Sequence, residues 1–405
     1  MAIMSRPILV LLFGGLLFLS LPAASSDAAP SGPPIRIGGT LALTGPLAPQ
    51  AISHKILGEI YIEQLNKKNG LLGRPVEYVL LDDQSKPDVT RALYERLVTA
   101  EKVDLLIGAF GTASNLSAIA VAQRNQRLLI SNTMGVPKLS TYEMHFPTQG
   151  LPPDPDRTFM NTVLDGLAST GKPPKTIAIV ASKFPSTHFI SVGGREVAEK
   201  RGVKVVLYLE HEFGTRDFGP IAARVKEANA DFLWHGGVGL ESRMLLEALK
   251  KIDYLPRGHF SIFPASGPLV ASPDAKLHFS MTTFEEHPPF TNNPAIAEYV
   301  KLFNERAARA GLPYTRVEQQ AAIGYSTWQV LEAAVTATKS LDDRVLFKWL
   351  KANRPDTIIG KQRFDAPNNF GDDFYRLRQI QGDRWLVVWP KEWAAPGAKV
   401  VYPNP

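Results

Sequence analysis

Gly108-Ala109-Phe110-Gly111-Thr112-Ala113-Ser114 places two glycines and two hydroxyl residues where an apolar run gives way to a helical pattern. A helix start leaves backbone N–H groups without intrahelical partners and carries the positive end of the helix dipole. Such a turn is suited to hold an anion, with Thr112 and Ser114 as added donors. The competing reading is plain N-capping of the helix by Thr112. The next apolar run ends in Ser131-Asn132-Thr133-Met134-Gly135-Val136-Pro137, another turn of amide and hydroxyl groups. Further on, Phe184, His188, Phe189, Trp234, Val238 and Phe263 offer apolar and aromatic walls with occasional polar tips, Ser186 among them. These suit an organic acid with a ring or branched tail, although each aromatic taken singly is as readily a core residue.

Enzyme chemistry finds little support. There is no GxxxxGK[ST], HExxH or GxSxG, and Gly108 and Gly111 lack the third glycine and following acid of a dinucleotide site. The histidines at 54, 145, 188, 211, 235, 259, 278 and 287 show no metal-ligand spacing and are expected at the surface or in caps, with His188 and His235 the two worth testing. Asp82-Asp83 reads as a turn anchored by side-chain hydrogen bonds. No catalytic residue, cofactor or metal is expected.

The elements that position these turns alternate. Strands are predicted over 35–43, 76–81, 103–107 and 128–131, with helices over 53–69, 86–101 and 112–125. After the proline-rich FPTQGLPPDP the pattern restarts, with helices over 156–169, 190–200 and 220–228 and strands over 176–180, 203–209 and 232–235. A second break at Thr282–Pro294 precedes helices over 295–310, 318–339 and 342–352, then the strand-rich KQRFD, DFYRLRQI and DRWLVVW. The fold class is α/β, with parallel sheets wrapped by helices in two Rossmann-like lobes, and ligands in such sheets sit at the carboxyl ends of the strands.

The chain has 405 residues, a net charge of +6 and no cysteine, so it has no disulfides, thiol nucleophiles or Cys-rich zinc sites. Its charges are dispersed and argue against nucleic-acid binding. The start, Arg6 followed by the apolar run Ile8–Leu19 and the small residues PAASSDAA, has the order of a cleaved secretory signal over 1–29, with the cut about 25–29. That run is too short to span a bilayer. The expectation is export to a periplasm without lipid anchoring.

Ile37-Gly38-Gly39 with Leu43-Thr44-Gly45-Pro46, then NKKNGLLGRP, LLDDQSKP and LLIGAFGTASNLSAIAVAQRNQRLLIS, and later TIAIVASK, EANADFLWHGG and YLPRGHF, together resemble periplasmic leucine/isoleucine/valine-binding-type proteins, the type I solute receptors of ABC importers. The resemblance covers most of residues 35–380. It implies two lobes that close on a ligand about three crossovers, near Pro147–Pro155, Ser280–Glu286 and Gly360–Gly371. Lobe 1 would hold 35–148 and 284–362, lobe 2 would hold 149–283 and 363–390, and 391–405 would be a surface tail. It further implies a ligand carboxylate at Thr112, Ala113 and Ser114, with Asn132, Thr133, Gly135, Gln50, Phe184, Ser186, Val238 and Phe263 around the ligand. The implied partners are a small-molecule carboxylate and ABC permease subunits in the inner membrane, with no nucleic acid, the receptor itself being a monomer.

This chain departs from amino-acid-binding relatives. Gly135 stands where a hydroxyl residue is usual, Gln50 where an aromatic often meets ligand, and the Tyr-Gly pair expected near Ser186-Thr187 is gone. The second-lobe loops 234–239 and 260–267 contain no acid to meet an α-ammonium group, whose unpaired burial is costly. Glu241, Glu285 and Glu318 are the acids that could reach in from elsewhere. The expected ligand is an aromatic or branched organic acid, with a branched-chain or aromatic amino acid as the second choice. The rival functions are a ligand-sensing partner of a membrane receptor and a periplasmic enzyme on the same fold.

Overall fold

A computed structural model describes residues 29–404, so the expected signal segment lies almost wholly outside the described residues. The first sheet is built from β1 (Ile35–Leu41), β2 (Val76–Asp82), β3 (Leu105–Ile107), β4 (Leu129–Ser131) and β5 (His145–Pro147), in the order β2-β1-β3-β4-β5 and parallel throughout. Between them run α1 (Ala48–Lys67), α2 (Pro87–Thr99) and α3 (Thr112–Arg124). Proline in the first turn of α1 and α2 presets the helical φ where no N–H partner is lost.

The chain then enters a second sheet through α4 (Pro155–Ala168), β6 (Thr176–Ser182), α5 (Pro185–Lys200), β7 (Lys204–His211), α6 (Gly219–Ala228), β8 (Phe232–Gly239), α7 (Glu241–Lys251), β9 (His259–Pro264), α8 (Ser266–Val270) and β10 (Phe279–Thr282). It returns through α9 (Pro294–Arg309), α10 (Gln319–Thr338) and α11 (Asp343–Ala352), which pack back on the first lobe. Tyr61 of α1 lies 4.8 Å from Tyr325 and 6.0 Å from Trp328 of α10, and Arg127 meets Asp343 at 2.6 Å. After the short pair β11 (Asp356–Thr357) and β12 (Gly360–Lys361), the chain crosses again to β13 (Arg376–Gln381) and β14 (Arg384–Trp389). The second sheet runs β14-β13-β10-β9-β8-β6-β7. The chain therefore passes between the two sheets three times.

The second sheet is mixed, contrary to the expectation of parallel strands only. A two-residue turn, Gly382-Asp383, with Gly382 at φ +68°, joins β13 to β14, and so tight a link permits only antiparallel pairing. KQRFD is strand at Lys361 alone, and the segments 234–239 and 260–264, expected as loops, continue β8 and β9 to the sheet edge. Every residue of β8, β9 and β10 is buried, as strands covered on both faces must be. The tail lies along this sheet. Gln379 exchanges hydrogen bonds with Val401 (2.8 and 3.1 Å), and Tyr402 packs edge-on against Phe232.

Candidate functional site

The carboxyl ends of both sheets face one another across a cleft. Its lining is Gln50, Phe110, Gly111, Thr112, Thr133, Gly135, Gln149, Phe184, Ser186, Val238, Phe263 and Gln320, and it encloses about 30 Å³. The lobes are shut. Gln50 Nε2 donates across the cleft to the Phe263 carbonyl at 2.9 Å, and a Cβ on Gly135 would fall 2.4 Å from Ser186 Cβ. So small a space has room for about one or two waters, so a ring can enter only when the lobes part. A larger groove of about 750 Å³, between Lys172, Arg201, Asp231 and Tyr402, lies at the amino ends of the second-sheet strands, away from where such sheets hold ligands.

On the first-lobe side, β3 delivers Gly111 at φ 87° as the N-cap of α3, and no side chain caps the helix. The first-turn N–H groups of Thr112, Ala113 and Ser114 have no intrahelical acceptors. Capping by Thr112 is therefore not what occurs. Its hydroxyl instead accepts from the Gly135 N–H at 3.1 Å, tying the turn after β3 to the turn after β4. Thr133 Oγ1 accepts the Gly111 N–H at 2.7 Å, and Asn115 Nδ2 donates to Ala109 O at 2.7 Å and Gly111 O at 3.1 Å. Both turns are thus held from within.

Eight of the residues expected around a ligand, Gln50, Thr112, Thr133, Gly135, Phe184, Ser186, Val238 and Phe263, line this one cleft. Ala113, Ser114 and Asn132 do not. Ser114 is buried in the first turn of α3, and Asn132 is turned to His54 Nδ1 at 3.1 Å, so Ala113 and Ser114 offer backbone donors at most. Trp234 is fully buried, stacked on Phe260 at 4.4 Å with its indole N–H on Ser191, and is core rather than wall. Phe189 lies outside the cleft, under the Lys138 ammonium at 4.7 Å. Phe110, Gln149 and Gln320 line the cleft without having been anticipated. Gln149 stands two residues beyond β5, where its Oε1 accepts the Met134 N–H and its Nε2 donates to the Tyr375 hydroxyl, both at 2.9 Å.

Among the described residues no ionisable side chain lines the cleft. The three acids that might reach in are engaged elsewhere. Glu241 caps its own loop, accepting from Val238 N at 3.0 Å, Ser182 Oγ at 3.2 Å and Gly214 N at 3.3 Å, and burial pushes its carboxyl up to about 7 against those bonds. Glu285 meets Arg378 Nη1 at 2.6 Å, and the guanidinium also lies 4.1 Å from the Trp385 ring. Glu318 borders a neighbouring cavity beyond Gln50 and Gln320, but its oxygens accept from Ser266 Oγ at 2.9 Å and Gln320 N at 3.1 Å, with Arg378 3.9 Å away. Burial raises both of these carboxyls, and Arg378 opposes the rise.

The histidines are mostly interior, contrary to expectation: seven of the eight are buried, His188 being the half-exposed exception, paired with Glu210 at 2.8 Å. Burial pushes His54 down to about 4, leaving it a neutral spacer between Asn132 and Gln320 behind the cleft. His235 is buried 3.5 Å from His211. Among the described residues no group of three or more His, Asp or Glu side chains is placed to hold a metal ion. Asp82 and Asp83 do form a turn, with Asp82 Oδ1 accepting from Leu43 and Gln84 N–H and Asp83 Oδ2 taking the Thr40 hydroxyl.

The periplasmic binding protein family model matches residues 34–384. The Leu/Ile/Val-binding protein of Escherichia coli is 24% identical over 82% of this chain and 86% of its own length. A leucine-binding protein from Thermotoga maritima superposes with a TM-score of 0.75 at 17% identity, covering 87% of this chain and 97% of its own. An ABC-transporter solute-binding protein from R. palustris, in complex with benzoate, does so with a TM-score of 0.75 at 18% identity, covering 91% and 99%. At these identities the two structures speak for the fold alone.

Proposed function

The chain belongs to the periplasmic binding protein family, and we propose that it is the periplasmic receptor of an ABC importer whose solute is a small carboxylate without an α-ammonium group, bearing a ring or branched tail. The observation that carries this reading is that among the described residues no acidic side chain stands in the cleft wall, with Glu241, Glu285 and Glu318 each already partnered. A buried ammonium would meet no counter-charge, which costs several kcal/mol. A carboxylate is provided for by the free end of α3 and the Thr112 hydroxyl, and Phe110, Phe184, Val238 and Phe263 supply apolar wall for the tail. Binding would proceed by opening and reclosure about the three crossovers, and no step requires a cofactor. The R. palustris protein of the same fold is in complex with benzoate, so this architecture accommodates a ring acid as well as the amino acids named for other relatives.

Calorimetric titration of the mature protein with leucine, phenylalanine, their 2-oxo acids and benzoate tests this. The deaminated acids should bind and the amino acids should bind weakly or not at all. Tight binding confined to the amino acids would overturn the proposal.

A further inference from the structure

We infer that Gln50 selects for a neutral hydroxyl donor on the ligand, so that the preferred solute is a hydroxyl-bearing ring acid, an inference that rests on the carboxylate reading of the same cleft. Gln50 sits in the first turn of α1, 3% exposed, and lines the cleft. Its amide orientation is fixed by the 2.9 Å bond from Nε2 to the Phe263 carbonyl, because the reverse orientation would set two acceptors face to face. Its Oε1 is buried without a hydrogen-bond partner, the only cleft-lining side-chain atom of which this is true among the described residues. Gly239 lies beside it, and a Cβ there would come to 3.6 Å from that oxygen, in ordinary van der Waals contact.

A buried acceptor left unpaired is costly, and a native site that keeps one calls for a partner. The oxygens of the wall's other two amides are occupied, Gln149 Oε1 by the Met134 N–H and Gln320 Oε1 by the His54 ring at 3.1 Å. The cleft thus has donors at the α3 end, the Ser186 hydroxyl on the facing wall, and at Gln50 a fully buried acceptor left vacant. An ammonium would bring a full charge and three donors to this single neutral oxygen, whereas a hydroxyl brings one donor and no charge. A carboxylate with a hydroxyl elsewhere on its frame satisfies both.

The test titrates benzoate, 3-hydroxybenzoate and 4-hydroxybenzoate by calorimetry into the wild-type protein and into Gln50→Leu and Gln50→Met, each variant first shown to melt cooperatively. One hydroxylated isomer should bind the wild type about tenfold or more tighter than benzoate. That ratio should fall to within about twofold in the variants, whatever happens to the affinity for benzoate itself. Equal binding of all three acids by the wild type, or a preference that survives both substitutions, would overturn the role of Gln50 alone. Failure of all three acids to bind a wild type that does bind the 2-oxo acid of leucine would overturn this inference alone, and failure of all these carboxylates would overturn the carboxylate reading with it.

Discussion

On the first-lobe side, the cleft is bounded mainly by Gln50, Thr112, Thr133, Gln320 and the open turn of α3, with the Phe110 ring among them, whereas on the second-lobe side it is bounded by Phe184, Val238 and Phe263 with Ser186, and Gln149 stands at the crossover between the two. The polar side is braced by hydrogen bonds between its own turns, and the apolar side by aromatic contacts such as Phe184 with Phe213 at 5.0 Å and Phe159 with Phe263 at 6.0 Å. A wall of fixed donors discriminates by charge and hydrogen bonding. A wall of rings discriminates by shape and volume. Division of recognition between the lobes means that neither half-site is complete until they meet.

The sharpest way to break this comparison is to stop the walls from meeting. In Gly135→Ala the new methyl would lie 2.4 Å from Ser186 Cβ, a clash between lobes that neither backbone can yield to cheaply. Affinity for the cognate acid should fall by about a hundredfold or more, on the order of 3 kcal/mol. Small-angle scattering should show the liganded variant keeping a larger radius of gyration than the liganded wild type. A variant that closes normally would mean that Gly135 is not a contact point.

A second test separates two neighbouring hydroxyls. Thr112→Val should cost about 1.5–3 kcal/mol of binding by removing a donor to the ligand carboxylate. Ser114→Ala, buried off the cleft, should change affinity by less than about 0.5 kcal/mol. The reverse order, measured by titration, would move the anion deeper into α3.

A third test concerns folding stability and the apolar wall's hidden acid. Glu241 has a folded-state pKa near 7, raised by burial above its ordinary carboxylate value, so the native state holds this proton more tightly than the unfolded chain. Its contribution is therefore present at low pH and is lost as pH rises from the ordinary carboxylate range through about 7. Relative to Glu241→Gln, the wild type should lose on the order of 3 kcal/mol between the ends of that window, at about 1.4 kcal/mol per pKa unit. Thermal melts of both proteins across it would read this directly. A difference that stays constant with pH would mean that Glu241 is ionised throughout.

Sequence periodicity located α2, α3, α9, α10 and α11 to within two residues, helped at α2, α9 and α11 by proline, asparagine or aspartate at the start, where Asn293 and Asp342 cap through their side chains, whereas α1 begins at Ala48, five residues before the expected 53. It missed the start of α5, because Phe184-Pro185 opens a helix inside a stretch read as a cleft loop, and it missed β5, a three-residue edge strand ending in proline. The turns that form the site were legible from their glycine and hydroxyl content. Which way each side chain turns was not. Ser114 and Thr112 are chemically alike, and only the packing of α3 sends one inward and the other to the cleft. The pairing of Glu285 with Arg378, 93 residues apart, likewise has no local signal, and a buried histidine looks like an exposed one until its neighbours are known.

The threefold passage of the chain between its sheets also governs the order in which the protein can assemble. The first lobe needs α10 against α1, a pairing such as Tyr61 with Glu332 across 271 residues, and the second sheet needs β13 beside β10 from the far end of the chain. Neither half can finish while its later segments are still emerging from the ribosome. Closing loops of that length before native contacts repay the entropy makes folding slow. The topology that builds the hinge thus delays completion of both lobes until the last third of the chain has been made.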